Sequence, residues 1–409
     1  MHLTVRPIEG DEMAKEEKKL KVAMVGGGNE SFMGRIHRAA IEASGCLELV
    51  CGAFGSTRQR SFETGKTLGI DPKRVFGVYR DMFRREAKAT GEDRLDLITV
   101  IAPNNMHYPV TMAAFDAGFP VFSEKPMSCN MDEAQNLKRR TLMNEELYAT
   151  AYIHPFYPAL EQLRAFVAEG GAGNIRRVDV RYFHGWMGVR LETAGNRSAG
   201  WRVDPRRCGA GGAIYDLAGP CAALAEWASG RKIAALCAAG HPAVAGRILD
   251  DDAAVLLRFD NGAAGVINVS QIALGEANGM ELSLYGDKAS VHWKQSTGNT
   301  WRITDAAGKT IEKTAPGAPI PTASPNRFAE PYGDDAAYIA ALTEAYRDFA
   351  QTIRAARAGE PFTGRCVGVD EALRVATFND LAARSMFPNA DDPQDKWLPF
   401  NVPEVKLLS

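Results

Sequence analysis

The first chemistry legible in the sequence is a glycine turn. Residues 22–25, Val-Ala-Met-Val, form an unbroken apolar run that ends in Gly26-Gly27-Gly28, with Gly34 following. Glycines between a buried strand and a helix let backbone N–H groups close on a pyrophosphate, which then lies at the positive end of the helix dipole. Gly26, Gly28, Asn29, Phe32 and Met33 are therefore candidate cofactor contacts. The spacing is unusual, because Gly34 stands where G-x-G-x-x-G would place its last glycine at position 31. At the end of the second apolar run (47–51), an acidic side chain ordinarily takes the adenosine ribose. Here the sequence reads Ala53-Phe54-Gly55-Ser56-Thr57-Arg58, without a carboxylate. Ser56, Thr57 and Arg58 suit a 2′-phosphate, but the same segment suits a solvated turn with Ser56 capping a helix. The cofactor is expected to be NAD or NADP. Farther on, His184 and Trp186 flank Gly185. Aromatic faces stack on the C–H-rich surfaces of sugars, while the alternative is an aromatic cluster packing at a strand end. Asp250-Asp251-Asp252 has no accompanying His or spaced carboxylates, so a solvated loop is expected rather than a metal site. The seven cysteines contain no C-x-x-C pair, which points to reduced residues and neither a disulfide framework nor zinc.

These groups need elements to hold them. Strands at 22–25, 47–51, 95–101, 121–122 and 148–152 alternate with helices at 33–44, 59–68, 107–117 and 131–143. That alternation predicts βαβ units with right-handed crossovers, hence a doubly wound parallel sheet. Beyond residue 153 the texture changes. Val178, Val180 and Tyr182 alternate with Arg177, Asp179 and Arg181, and Asn261-Gly262 separates two β-rich runs as a hairpin turn does. The expectation is an α/β chain with an N-terminal Rossmann unit and a second α/β unit built on a large, open, mainly antiparallel sheet. The expected divisions are a tail over 1–20, the nucleotide unit over 21–152 and the substrate and oligomerisation unit over 153–409. A loop is expected over 315–331 and helices over 335–357 and 369–385.

The chain has 409 residues, 48 Lys plus Arg against 50 Asp plus Glu, and a net charge of −2. Such a balance offers no electrostatic reason for nucleic acid or an anionic membrane as partner, and no apolar run is long enough to span a bilayer. Residues 1–21 carry Glu9, Asp11, Glu12, Glu16 and Glu17 and no signal-type apolar stretch, so a cytoplasmic location is expected.

Taken with the glycine turn, Ala102-Pro103-Asn104-Asn105-Met106-His107 and Glu124-Lys125-Pro126 resemble the glucose–fructose oxidoreductase / inositol dehydrogenase / MocA (Gfo/Idh/MocA) family. Trp201-Arg202-Val203-Asp204 and Gly211-Gly212-Ala213-Ile214-Tyr215-Asp216 look like its W-R-x-D and G-G-x-x-x-D segments, so the resemblance covers both units. It implies hydride transfer between a nicotinamide and a carbinol carbon of a sugar, sugar derivative or cyclitol, in a homo-oligomer (dimer or tetramer). It also implies Lys125 as the catalytic lysine, Pro126 after a cis bond, and Glu124 near the nicotinamide ribose. Pro103, Asn104, His107, Lys125 and Trp201 fall at cofactor-lining positions, although His107 equally suits helix packing. Arg202 and Asp216 fall at the substrate.

One position departs from the family. Relatives carry His or Tyr four residues after the aspartate, and this chain has Pro220, which cannot titrate. Lys125 or a nearby side chain must then move the proton, with His184, Tyr182, Tyr215 and His154 as candidates. Lys125, Asp216 and His184 are taken as the catalytic set, and Lys125, His154, Tyr182, His184, Trp186, Arg202, Tyr215 and Asp216 as substrate contacts. Two other readings stay open: a glycosidase that oxidises its sugar transiently, and a nucleotide- and sugar-binding regulator that does not turn over, like the galactose-regulon repressor branch.

Overall fold

Val22, Ala23 and Met24 are wholly buried, as a strand covered on both faces requires. They belong to β1 (Leu20–Gly26), which lies between β2 (Leu47–Ala53) and β3 (Leu97–Ile101) in a computed structural model describing residues 18–277, 279–315, 336–386 and 397–406. With β4 (Val121–Ser123) and β5 (Tyr148–Thr150) the strands run β2-β1-β3-β4-β5, all parallel. The intervening helices are α1 (Phe32–Ser44), α2 (Arg58–Thr67), α3 (Tyr79–Glu86), α4 (Asn104–Asp116) and α5 (Met131–Asn144). The chain leaves β1 toward β2 on one side and reaches β3 on the other. That switch of direction opens a crevice at the carboxyl ends of β1 and β3, where ligands of such sheets bind. The glycine turn sits there.

After α6 (Pro158–Ala168) comes β6 (Ile175–Phe183), followed by the short α7 (Arg197–Arg202) and α8 (Pro205–Cys208), a π-helical segment over Ile214–Ala218, and α9 (Gly219–Ser229). Seven more strands follow: β7 (Ile233–His241), β8 (Asp252–Phe259), β9 (Ala264–Ser270), β10 (Gly279–Gly286), β11 (Ala289–Lys294), β12 (Thr300–Asp305) and β13 (Thr310–Thr314). Helices α10 (Ala336–Ala358) and α11 (Val369–Met386) and the two-residue β14 (Leu398–Pro399) complete it. The second sheet runs β13-β12-β11-β10-β6-β9-β8-β7-β14. It is mostly antiparallel, and β6 with β9 is a parallel pair. Val178, Val180, Met280, Leu282 and Leu284 are buried under α9, with α6 over β11 and β12 and α11 over β7, while Arg177, Tyr285 and Leu256 on the other face are exposed. The Asn261-Gly262 turn joins β8 to β9, with Gly262 at φ +83°. Helix α10 packs on α1, and α11 packs on α5 as well as on β7, so the last two helices touch both sheets' layers.

The expected tail through residue 17, and 316–331 of the expected loop, lie outside the described residues. Among those described, no helix is long and apolar enough to cross a membrane.

Candidate functional site

The glycine turn is shaped by backbone crowding. Gly26 and Gly27 have φ of +82° and +65°, the left-handed region where a Cβ is unfavourable. A Cβ on Gly28 would lie 2.6 Å from the Phe54 carbonyl oxygen, and one on Gly34 would lie 2.4 Å from the Gly27 carbonyl oxygen. Gly34 thus performs the close-packing role despite its late position. Ser31 caps α1, its Oγ accepting the Gly34 N–H at 3.0 Å. The result is a narrow cradle at the N-terminus of a full-length helix, which fits a dinucleotide pyrophosphate. Asn29 is tied outward, donating from its backbone and side chain to Thr64 and Thr67 of α2. Phe32 and Met33 pack their half-buried side chains on the core.

At the end of β2, Ser56, Thr57 and Arg58 are exposed. Thr57, rather than Ser56, caps α2 by accepting the Arg60 N–H. Ser56 is thereby left for solvent or ligand, and the Arg58 guanidinium lies 5.2 Å over Phe62.

Pro103 precedes α4, whose first residue is Asn104, three residues before the expected start. Buried Asn104 donates to the Cys208 carbonyl at 2.9 Å, joining the two units beside the crevice. His107 takes the packing alternative: its ring nitrogens lie 2.7 Å and 2.8 Å from the carbonyl oxygens of Pro126 and Ala102. Burial pushes its pKa down, so the neutral ring donates to one carbonyl at a time.

The Lys125–Pro126 bond is cis. The Lys125 ammonium donates to Asp216 twice, to Oδ1 at 2.9 Å and to the backbone carbonyl at 2.6 Å. Pro220 has no N–H, so it cannot supply the α-helical donor to the Asp216 carbonyl four residues earlier. Asp216 Oδ2 accepts from Arg202 Nε at 2.9 Å and Gln271 Nε2 at 3.1 Å. Burial alone would raise this carboxyl, but Lys125 and Arg202 overcome it and hold it far below the usual range. The π turn carrying Asp216 also brings Cys221 within electrostatic reach of Lys125, although burial drives that thiol well above its ordinary pKa.

Around this clamp stand the aromatic and imidazole candidates. The Arg202 guanidinium lies 4.1 Å over Trp201 and 5.4 Å over Trp186. His184 sits 5.9 Å from Trp186 and 6.5 Å from Tyr182, ring to ring. Burial depresses His184 to about 4, against the opposing pull of Asp216, and its Nδ1 has no partner. His154 is likewise depressed to about 4 by burial and by Lys125; its Nδ1 is also unpartnered, and its ring stacks on Tyr157. Tyr182 and Tyr215 are pushed upward by burial, so their phenols stay protonated. Tyr215 packs against the glycines at 209 and 211. The imidazoles are neutral acceptors at neutral pH and the phenols are not.

The two histidines set a stability signature. Their folded pKa near 4 lies below the unfolded value near 6.5, so the unfolded chain takes up protons first as pH falls. Stability is therefore lost from pH 6.5 downward, by up to about 3 kcal/mol per histidine near pH 4. In thermal melts between pH 6.5 and 5, where carboxylates still ionise, His154→Gln and His184→Asn should each flatten the decline. An unchanged slope in both would refute the assignment.

Several residues of the site carried no sequence signal. Gln271 merely follows β9. Asp250 and Asp251, expected on a solvated loop, are each 1% exposed. Asp250 accepts the N–H groups of Gly212 and Ile214 at 2.7 and 2.9 Å, fixing the entry to the π turn. Asp251 pairs with Arg247, which also donates to the Met187 and Val189 carbonyls and to Glu192, pinning the loop after Trp186. Unsatisfied loop N–H groups and carbonyls, rather than solvent, are what these charges meet. Among the described residues no group of His, Cys, Asp and Glu could hold a metal.

Comparison with known proteins agrees with the two-unit architecture. A model described as an oxidoreductase family with an NAD-binding Rossmann fold matches residues 20–152, and a GFO/IDH/MocA C-terminal domain model matches residues 160–292. The chain is 32% identical over 304 residues to the uncharacterized oxidoreductase YfiI of Bacillus subtilis, covering 73% of this chain and 77% of that one. It is 23% identical over 296 residues to levoglucosan dehydrogenase of Pseudarthrobacter phenanthrenivorans, covering 67% and 73%. An inositol dehydrogenase homolog from Azotobacter vinelandii, solved with NAD+, superposes with a TM-score of 0.84 at 27% identity over 94% of this chain and 98% of its own.

Proposed function

From its membership of the Gfo/Idh/MocA family of NAD-binding oxidoreductases, we propose that this chain moves a hydride between NAD or NADP and a carbinol carbon of a sugar, sugar derivative or cyclitol. The observation that carries the reading is the Lys125 ammonium held by two oxygens of one aspartate. An ammonium has three N–H donors. Two are taken by Asp216, which leaves one to meet the substrate oxygen and stabilise its developing alkoxide charge. When bound, the nicotinamide supplies or accepts the hydride. Asp216 holds both Lys125 and Arg202, and Trp186 and Trp201, each with the Arg202 guanidinium over its ring, supply aromatic faces suited to a pyranose or cyclohexane ring. His184, whose Nδ1 has no partner, takes the proton-accepting role that Pro220 cannot fill, although burial makes it a weak base. His154, at the Lys125 side, is the alternative acceptor. Names of similar proteins, levoglucosan dehydrogenase and the inositol dehydrogenase homolog, support a ring polyol.

Residues 53–62 lack the carboxylate that at the end of the second strand ordinarily chelates the ribose diol and repels a 2′-phosphate. The chain is therefore expected to bind NAD and NADP within about tenfold of each other, a gap of about 1.4 kcal/mol. The test is a panel of free sugars, cyclitols and glycosides with each cofactor, following reduced nicotinamide by absorbance. Accumulation with a free polyol supports the reading. Glycoside cleavage without net reduction would replace it by a redox-assisted glycosidase, and tight cofactor binding without turnover would replace it by a binding protein.

The exposed sheet face, with Leu256 and Tyr285 among charged neighbours, suits a second copy of the chain, and the free cysteines suit a reducing, cytoplasmic setting.

A further inference from the structure

Behind Lys125 a run of polar groups crosses an otherwise apolar core. His37, Thr99 and Tyr346 are fully buried and Glu124 is nearly so. His37 Nε2 lies 2.8 Å from Glu124 Oε1, and His37 Nδ1 lies 2.6 Å from the Tyr346 hydroxyl. That hydroxyl lies 2.8 Å from Thr99 Oγ1. Glu124 Oε2 accepts the Lys125 backbone N–H at 3.1 Å. The members come from α1, β3, the end of β4 and α10, and Tyr346 stands 309 residues from His37 in sequence.

We propose that Thr99, Tyr346 and His37 form a one-way hydrogen-bond chain that fixes the Glu124 carboxylate beside Lys125, making His37 and Tyr346 positioning residues for the reaction. The role rests on the oxidoreductase reading above. With a neutral imidazole the donor directions are forced. A carboxylate only accepts, so His37 Nε2 carries the hydrogen and donates to Glu124. Nδ1 is then the acceptor and the Tyr346 O–H donates to it. The Tyr346 oxygen in turn accepts from Thr99. The opposite tautomer would set a ring lone pair against the carboxylate, in a core where an unmet polar contact is expensive.

Burial alone would raise the Glu124 carboxyl, but the His37 contact and the Lys125 charge bring it below its usual value. The other titratable groups facing it are His107 from α4, and the phenols of Tyr152, Tyr182 and Tyr346, each of which its charge helps push upward. The Tyr346 ring stacks on Phe122 at 4.5 Å and meets His37 edge-on at 5.7 Å, so the hydroxyl is held in place without its hydrogen bonds. A helix from the C-terminal part of the chain thereby reaches the residue next to the reacting lysine.

Tyr346→Phe keeps the ring stack and removes the hydroxyl alone. With a substrate from the panel, its kcat should fall about tenfold with KM within about twofold, as for loss of a hydrogen bond feeding a charged group. The acid limb of kcat should move up by about one pH unit as Glu124 gains proton affinity. His37→Gln, which keeps an amide donor toward Glu124, should retain several-fold more activity than His37→Leu. In parallel, 15N-histidine NMR of the cofactor-free protein should show His37 as the Nε2–H tautomer at neutral pH, with its Nδ1 resonance shifted in Tyr346→Phe. Wild-type kcat and pH profile in Tyr346→Phe, or an imidazolium at His37, would overturn the proposal. If the wild type turns over no substrate, the functional reading fails by itself, and the NMR arm still decides whether the chain is ordered as stated.

Discussion

Replacing Lys125 with methionine should lower kcat by about a thousandfold, within the range for losing a proton-transfer group together with its stabilising charge. Methionine is chosen because its unbranched stem fills the channel the lysine occupies. The Lys125 side chain is 18% exposed, so its ammonium reaches the crevice while its stem is enclosed. The substitution removes the whole ammonium, both the contacts to Asp216 and the one N–H not committed to it, and leaves the cradle at Gly26, Gly28 and Gly34 untouched. Cofactor affinity, read from quenching of protein fluorescence by reduced nicotinamide, should therefore stay within about threefold, under 1 kcal/mol. KM should rise less than kcat falls, because the contact strengthens as charge develops on the substrate oxygen. Retention of a tenth or more of the wild-type kcat would show that the ammonium is not the group that meets the alkoxide.

The parts of this molecule that sequence made legible are those dictated by local chemistry. The apolar run 22–25 has nowhere to go but the centre of a sheet, and the glycines after it are demanded by backbone contacts with Ile101, Phe54 and Gly27. The alternation at 178–182 and the Asn261-Gly262 turn are equally local, and both elements formed as expected. What escaped depends on distant partners. Asp250 looks solvated until Gly212 and Ile214 bring their N–H groups to it, and nothing near His37 in sequence announces Tyr346. Capping passed from Ser56 to Thr57 by one residue, a shift within the usual uncertainty of a helix start but enough to change which hydroxyl is committed to the helix. Pro220 is the instructive case. In sequence it reads only as the loss of a titratable group. In the fold it also cannot give the Asp216 carbonyl an α-helical donor, and that carbonyl accepts from Lys125.

That same carboxylate carries the second large effect. Asp216→Asn should destabilise the chain by about 3 kcal/mol at pH 7, the lower end for breaking a buried ion pair. The amide keeps the shape but leaves Lys125 and Arg202 facing each other without the anion between them. The sign of the pH dependence follows from the depressed carboxyl. In the unfolded chain Asp216 protonates near 3.9, and in the folded chain only at far lower pH. Its contribution is thus present in full above about pH 4 and is lost as pH falls below that toward the folded value. The difference in apparent melting temperature between wild type and Asp216→Asn should be constant from pH 8 to pH 5 and shrink below about pH 4. Activity should fall with it by about a hundredfold, because Lys125 loses its anionic anchor and keeps only the carbonyl. Asp216→Asn with wild-type stability at pH 7 would mean the two cations find other partners. A gap that persists unchanged below pH 4 would mean that the substitution acts by packing, and the carboxylate's charge would then have to be removed from the account of how Lys125 is held.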